Sequence, residues 1–371
     1  MTSQLGLTRY QPDKAFPGYT LFAPIAGQQA YLIDMYGSIV HRWSLPYRPA
    51  MYGYLLENGH LLVAGETGKS PVPFGGAGGT LLELDWDSTV VWEHVDDRLH
   101  HDFCRLPTGN TMLLAWEQVP ADLVPHIQGG VPGTEHEGHI WCDVLREITP
   151  EQQVVWEWHA SEHLDPATDR ICPLDQRHEW THGNACEVLP NGDVLISFRL
   201  LNMLAVIDRQ SGAWRWQWGR QVLGHQHDPT LLPNGHVLVF DNGWHAAHPQ
   251  PRSRVLEVDP VTDKIVWTYE TQPGWNFFSS FISGAQRLPN GNTLICEGMT
   301  GRLFEVSSAG ELVWEYVNPF FGEHRRFGRV NSVFRAYRYE ADFPGLQGKA
   351  LAPERHAWLN RLHRPPAGAG F

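Results

Sequence analysis

The chain has 371 residues, 42% of them hydrophobic and 19% charged, enough to bury a substantial core. Its formal net charge of −13 repels phosphate backbones and anionic lipid, which sets nucleic acid and membrane surfaces aside as partners. Five cysteines without CxxC spacing are too few for a disulfide scaffold, and no run approaches the roughly 18 apolar residues of a spanning helix.

Residues 1–9 carry neither an apolar leader nor a small-residue cleavage site, so the cytoplasm is the expected location. Beyond them the sequence repeats. Six segments read as an apolar strand, a polar turn and a second strand closing on tryptophan: Trp43, Trp92, Trp156, Trp216, Trp267 and Trp314. These tryptophans are expected to pack in the core. Five of the segments are preceded by another hairpin, marked by Asn58-Gly59, Thr108-Gly109, Asn191-Gly192, Asn234-Gly235 and Asn290-Gly291. Asn-Gly is the strongest short hairpin signal and suggests a two-residue type I′ turn.

Two hairpins per unit, at a period of about 47 to 64 residues, make four-stranded propeller blades. The expected fold is all-β: a single six-bladed β-propeller over residues 1–371. The first blade lacks an Asn-Gly hairpin, and an unused strand-like segment lies at Val330–Tyr339. This segment is expected to close the ring by completing blade 1, with residues 320–371 extending over the surface.

The long insertions, at residues 65–79, 116–142, 159–181, 241–253 and 271–280, fall on the face opposite the Asn-Gly turns, and loops on a rigid scaffold carry function. The innermost strand of blade 3 opens on His100-His101-Asp102, that of blade 4 on His182-Gly183-Asn184, and that of blade 5 on His225-Gln226-His227-Asp228. The two-residue side-chain period places 182 with 184, and 225 with 227. Counting back from the turns brings Arg199 level with His182 and Asn242 close to His227. One histidine at a strand start is usually structural; three at equivalent starts point to a site. Histidines elsewhere in the loops read as surface or hydrogen-bonded residues. Trp116, Trp141, Trp180 and Trp244 in the loops are candidates to stack on an aromatic ligand. The arginines of the tail, Arg335 and Arg338 among them, read as solvated or salt-bridged. Serine nucleophile elbows, phosphate-binding loops, dinucleotide fingerprints and HExxH sites are absent.

The phrases His100-His101-Asp102, Trp180-Thr181-His182-Gly183-Asn184, Ile196-Ser197-Phe198-Arg199, Gln226-His227 and Phe240-Asp241-Asn242-Gly243 resemble the bacterial arylsulfate sulfotransferase family, which works without a nucleotide sulfate donor. Their order and spacing follow the family over most of the propeller. The resemblance implies that His227 attacks an aryl sulfate and becomes a sulfohistidine, for later transfer to a phenol. It implies that His101 and His182 serve proton transfer and leaving-group contacts, while Arg199 and Asn184 hold the sulfuryl oxygens. His100, His225, Asn242, Trp180 and Trp244 complete the expected substrate site. His225 and Asp228, with the extension after Asn318, mark a divergent branch, expected to lack the family's export signal and N-terminal β-domain. The expected ligand is a small aromatic molecule, with no cofactor. Two alternatives remain: a lyase or hydrolase of an aromatic or sugar-like molecule, with a divalent metal on His101, His182 and His227, and a non-catalytic interaction propeller.

Overall fold

A computed structural model describes residues 4–246, 248 and 250–363. Its strands form six four-stranded antiparallel blades, a six-bladed β-propeller. The chain divides into two compact units. The first is built on blades 1, 2 and 6 and the second on blades 3, 4 and 5.

In the first unit, blade 1 comprises Val333–Tyr339, Tyr19–Pro24, Gln29–Ile33 and Ile39–Ser44. The C-terminal strand closes it as expected, pairing Tyr339 with Tyr19 and Ala336 with Phe22. Blade 2 comprises Arg48–Leu55, Leu61–Glu66, Gly79–Leu84 and Val90–Val95. Blade 6 comprises Gly284–Arg287, Thr293–Glu297, Arg302–Val306 and Leu312–Val317. A fifth strand, Gly6–Tyr10, pairs with its outer edge, an addition the repeat pattern did not announce. The helix Ala357–His363 docks on blade 1, where the Asn360 side-chain amide bonds both backbone groups of Ile39. Residues 364–371, included in the expected surface extension, lie outside the described residues.

In the second unit, blade 3 comprises Leu99–Arg105, Thr111–Gln118, Trp141–Ile148 and Val154–His159. Blade 4 comprises Gly183–Val188, Val194–Phe198, Met203–Ile207 and Trp214–Trp218, and blade 5 His227–Leu231, Val237–Asp241, Arg254–Asp259 and Lys264–Tyr269.

Two local expectations are corrected. The Asn-Gly hairpins are not type I′ turns: only the glycine takes positive φ (Gly59 83°, Gly192 91°, Gly235 83°, Gly291 86°). Gly59 N–H donates to Leu56 O and Leu56 N–H to His60 O, which is a three-residue loop ending in a left-handed glycine. Asn58 instead accepts from His60 N–H at 2.9 Å, and Asn191, Asn234 and Asn290 repeat this bond.

The blade tryptophans are also more than core. Trp43 and Trp314 are fully buried, whereas Trp92, Trp156, Trp216 and Trp267 are half-buried. Four of them reach the outer turn of the next blade: Trp43 Nε1 donates to Asp85 O, Trp156 to Arg209 O, Trp216 to Asp263 Oδ1 and Trp314 to Met35 O. A tryptophan suits this position because its ring seals the seam while its N–H finds an acceptor. No helix among the described residues is long and apolar enough to cross a membrane.

Candidate active site

The three histidine-bearing strand starts all belong to the second unit, and they share one backbone device. His101, His182 and His225 each take a left-handed conformation, with φ of 50°, 52° and 58°. Each neighbouring ladder slips register there, between Leu113 and Leu114, between Gly183 and Ala185, and between His227 and Thr230. Such bulges re-aim side chains and cluster near active sites. They also break the two-residue alternation used to pair 182 with 184 and 225 with 227. The His225 imidazole goes to Asp175, while that of His227 goes to Asn242.

His227 is 2% exposed. Its Nδ1 faces two acceptors, Asn242 Oδ1 at 2.7 Å and His225 O at 3.1 Å. The Asn242 amide is oriented by its own Nδ2, which donates to Ser279 O at 2.8 Å. A nitrogen between two acceptors carries the proton, so the lone pair of His227 resides on Nε2.

His182 is placed by a residue that the sequence reading passed over. Glu179 Oε2 lies 2.7 Å from His182 Nδ1, and Oε1 accepts from Trp116 Nε1 at 2.8 Å. Burial alone would raise the Glu179 carboxyl, yet the His182 and His178 imidazoles hold it well below the usual range. It is an ionised carboxylate in a buried position. Glu179 sits three positions before His182, and that spacing was the available signal.

His101 packs edge-on against His182, ring centres 4.5 Å apart. Its Nδ1 lies 2.9 Å from His100 Nδ1, and His100 Nε2 lies 3.1 Å from Asp143 Oδ1. His100 also stacks on Trp116 at 4.4 Å. Burial, then the charges of His182, His100, His227 and Arg199, push His101 well below the ordinary histidine range, so it is a neutral imidazole. Glycine at 76 follows from this packing, because a Cβ there would overlap the His101 ring. Asp143 was likewise missed; its Oδ2 also accepts from Gly183 N–H at 2.6 Å.

Arg199 follows the second strand of blade 4, its N–H bonded to His182 O, as the counting argument expected. Its half-buried guanidinium makes no hydrogen bond or ion pair among the described residues. Burial lowers its proton affinity, and Asp175 and Glu179 oppose the shift from beyond contact distance. A cation so placed is chemically suited to receive an anion.

The other expected substrate contacts divide. Asn184 is buried and donates to Gln226 O at 2.8 Å. His100 and His225 have no exposed side-chain surface and support their neighbours. Trp180 is corrected to a core residue: it is fully buried, its Nε1 donates to Asp169 O, and it packs with Phe198 and Ile171 in the blade 3–4 core. Trp244, 40% exposed beside His245 and Phe278, is open to a ligand. The alternative metal set, His101, His182 and His227, does not form a converged donor group among the described residues. The donors that do converge are Cys172, Asp175, His225 and His245, all within 4.8 Å of one another.

A family model described as Arylsulfotransferase (ASST) matches residues 54–319. No curated protein matches the chain. Among solved structures, a protein of unknown function from Bacteroides caccae is 14% identical, with 87% of this chain and 99% of that one covered and a TM-score of 0.55. A streptogramin B lyase is 11% identical (84% and 82% covered, TM-score 0.48). A catalytically inactive virginiamycin B lyase from Staphylococcus aureus, with quinupristin, is 9% identical (84% and 88% covered, TM-score 0.46). The first of these shares the fold.

Proposed function

This chain belongs to the arylsulfotransferase (ASST) family, and we propose that it moves a sulfuryl group from an aryl sulfate to a phenol through a covalent intermediate on His227. The observation that carries this reading is the locked His227 ring, with Nδ1–H held by Asn242 Oδ1 and His225 O and the lone pair left on Nε2. A neutral imidazole with a fixed tautomer is a ready nucleophile.

In the first half-reaction, His227 Nε2 forms a bond to sulfur as the S–O bond to the aryl group breaks. The electron pair leaves on the phenolate oxygen. The ring gains positive charge, which Asn242 Oδ1 and His225 O stabilise through Nδ1–H. Arg199, without a neutralising partner among the described residues, binds the sulfuryl oxygens as their charge shifts. His182 gives the leaving phenolate its proton, and the Glu179 carboxylate steadies the charge on that ring while the proton is present. His101, neutral, hydrogen-bonds the phenolic oxygen. In the second half-reaction an acceptor phenol returns its proton to His182, its oxygen attacks sulfur, and the pair in the N–S bond returns to His227 Nε2.

The test is ping-pong transfer from an aryl sulfate to a phenol by the full chain. Brief reaction with donor alone should add one sulfuryl group to the intact mass, located on His227, and His227→Ala should remove both adduct and turnover. Full turnover in His227→Ala would overturn the reading.

A further inference from the structure

Beside this site lies a second constellation for which sulfuryl transfer has no use. Cys172 and Asp175 come from the strand Ile171–Gln176, between blades 3 and 4. His225 precedes the first strand of blade 5, and His245 lies in the loop between its second and third strands. Three separate segments thus bring four donor side chains to one point.

The four donor atoms converge on a common centre. His225 Nε2 lies 2.8 Å from Asp175 Oδ2, His245 Nδ1 lies 3.5 Å from the same oxygen, and Cys172 Sγ lies 3.5 Å from His245 Nδ1. All four donors fall within 4.8 Å of one another. Around a tetrahedral zinc ion, with Zn–N near 2.0 Å and Zn–S near 2.3 Å, neighbouring donors sit roughly 3.3–3.8 Å apart; the two 3.5 Å separations fall in this range, and the 2.8 Å His225–Asp175 pair has to open on binding.

Hydrogen bonds and ion pairs account for only part of the cluster. The His225 side chain is wholly buried, and neither of its ring nitrogens has a hydrogen-bond partner. Its Nε2 approaches Asp175 Oδ2 without the alignment of a hydrogen bond, and that oxygen is also unsatisfied. Leaving such groups buried and unsatisfied costs about 1–3 kcal/mol each. The backbone is strained toward the same point, since His225 and His245 are both left-handed, with φ of 58° and 61°.

We propose that Cys172, Asp175, His225 and His245 bind one zinc(II) ion, a structural centre distinct from the transfer site. One thiolate, two imidazoles and one carboxylate are a borderline-soft donor set suited to zinc, and four protein ligands leave no open position. The ion cross-links the blade 3–4 connection to the histidine segment that opens blade 5 and to the loop between that blade's second and third strands, and so fixes the backbone carbonyl of His225 that holds His227 Nδ1. A thiolate and a carboxylate cancel its charge. Engaging Asp175 also withdraws the carboxylate that offsets Arg199, leaving that cation to the substrate anion.

The experiment is elemental analysis of the purified full chain, then chelation and titration of the stripped protein with zinc and with cobalt(II). About one zinc per chain is expected. Cobalt should give the intense visible bands of a tetrahedral site, with a near-ultraviolet thiolate charge-transfer band that Cys172→Ser abolishes. Cys172→Ser and His245→Ala should weaken zinc binding at least roughly 10²-fold, the upper end of what losing an outer-shell partner costs. His101→Ala and His182→Ala should keep their zinc, which separates this centre from a metal at the transfer histidines. Wild-type chain that holds no metal and takes up neither ion at micromolar concentration would overturn the proposal, as would zinc retained at full occupancy in both ligand variants. Neither readout requires sulfuryl transfer, so this inference and the functional reading fail independently.

Discussion

Asn242 and His227 form a polarised pair: the amide is pinned by its donation to Ser279 O at 2.8 Å, and its oxygen turns to His227 Nδ1 at 2.7 Å. The pair fixes which nitrogen of His227 carries the lone pair, and so which would attack sulfur in the proposed reaction. Asn242→Ala should lower kcat/KM at least roughly 10²-fold, since a wrong tautomer in a serine-protease triad costs ~10⁴-fold. Asn242→Asp is the sharper test. A carboxylate beside His227 favours the imidazolium, which has no free Nε2 pair, so the acid limb of the pH–kcat/KM profile should move to higher pH. A packing role for Asn242 would leave the limb in place.

In the proposed reaction Glu179 acts through His182, whose Nδ1 lies 2.7 Å from its carboxylate. Glu179→Gln keeps a hydrogen-bonding side chain near Trp116 Nε1 and His182 Nδ1 but removes the charge. Transfer from aryl sulfates with poor phenol leaving groups should slow by roughly 10²-fold, the lower end of what general acid catalysis contributes. Donors with strongly acidic phenols need little proton donation and should be nearly unaffected. A uniform loss across leaving groups would place Glu179 outside proton transfer.

Arg199→Ala should lower kcat by roughly 10²–10³, the usual loss for one transition-state charge donor. Arg199→Lys should recover part of it, because an ammonium restores the charge without the planar fork. Equal activity of the lysine variant and wild type would show that charge alone suffices.

Much of this was legible in the sequence because a propeller repeats its turn chemistry. The hairpin positions follow from Asn-Gly, although the asparagine contributes an Asx contact to His60 N–H rather than a positive φ. Ring closure by Val333–Tyr339 followed from an unassigned strand. The strand Gly6–Tyr10 was hidden, since an added edge strand completes no repeat. Counting from the turns brought Arg199 to His182 and Asn242 to His227. The carboxylates Asp143, Asp175 and Glu179 escaped because they lie on a third strand and in a connection, where the strand repeat does not reach; only for Glu179 does a short step, three residues to His182, link it to a histidine. Trp180 misled for the opposite reason: its place in a loop of the working face suggests exposure, but the loop folds inward and its indole is satisfied by Asp169 O.

Acid should weaken the fold in a defined window. Burial pulls His41 down to about 4, against its hydrogen bond to Trp86 O, which raises it. Burial and neighbouring charges hold His101 well below its usual value. For both, the folded state binds the proton more weakly than the unfolded chain. Their contribution is fully present above about pH 6.5 and is lost as pH falls toward the folded values. The urea midpoint should therefore be flat from pH 8 to about 7 and drop steadily between roughly pH 6.5 and 4. His41→Phe should flatten part of that slope, and an unchanged slope would assign the acid sensitivity elsewhere.

The last prediction concerns the seam where the C-terminal strand closes blade 1. Arg338 on that strand is an arginine read from the sequence as solvated or salt-bridged, and it is the latter: it pairs with Glu305 of blade 6 at 3.3 Å, neither side chain having exposed surface. Its Nε donates to Thr20 Oγ1 at 2.6 Å, one terminal nitrogen donates to Phe16 O at 2.7 Å, and the guanidinium lies 4.5 Å over the Trp314 ring. Glu305 in turn accepts from Phe16 N–H and Asn292 Nδ2. Burial lowers Arg338 to about 10 against the opposing pull of Glu305, so it remains charged. Removing Glu305 strands that charge, and Glu305→Ala should cost about 3–5 kcal/mol in urea unfolding. Replacing both partners, Arg338→Met with Glu305→Leu, removes the charge together with its need for a partner and should recover most of the loss. If the double variant is instead as unstable as the two single losses added together, the seam depends on the hydrogen bonds to Phe16, Thr20 and Asn292 rather than on the ion pair.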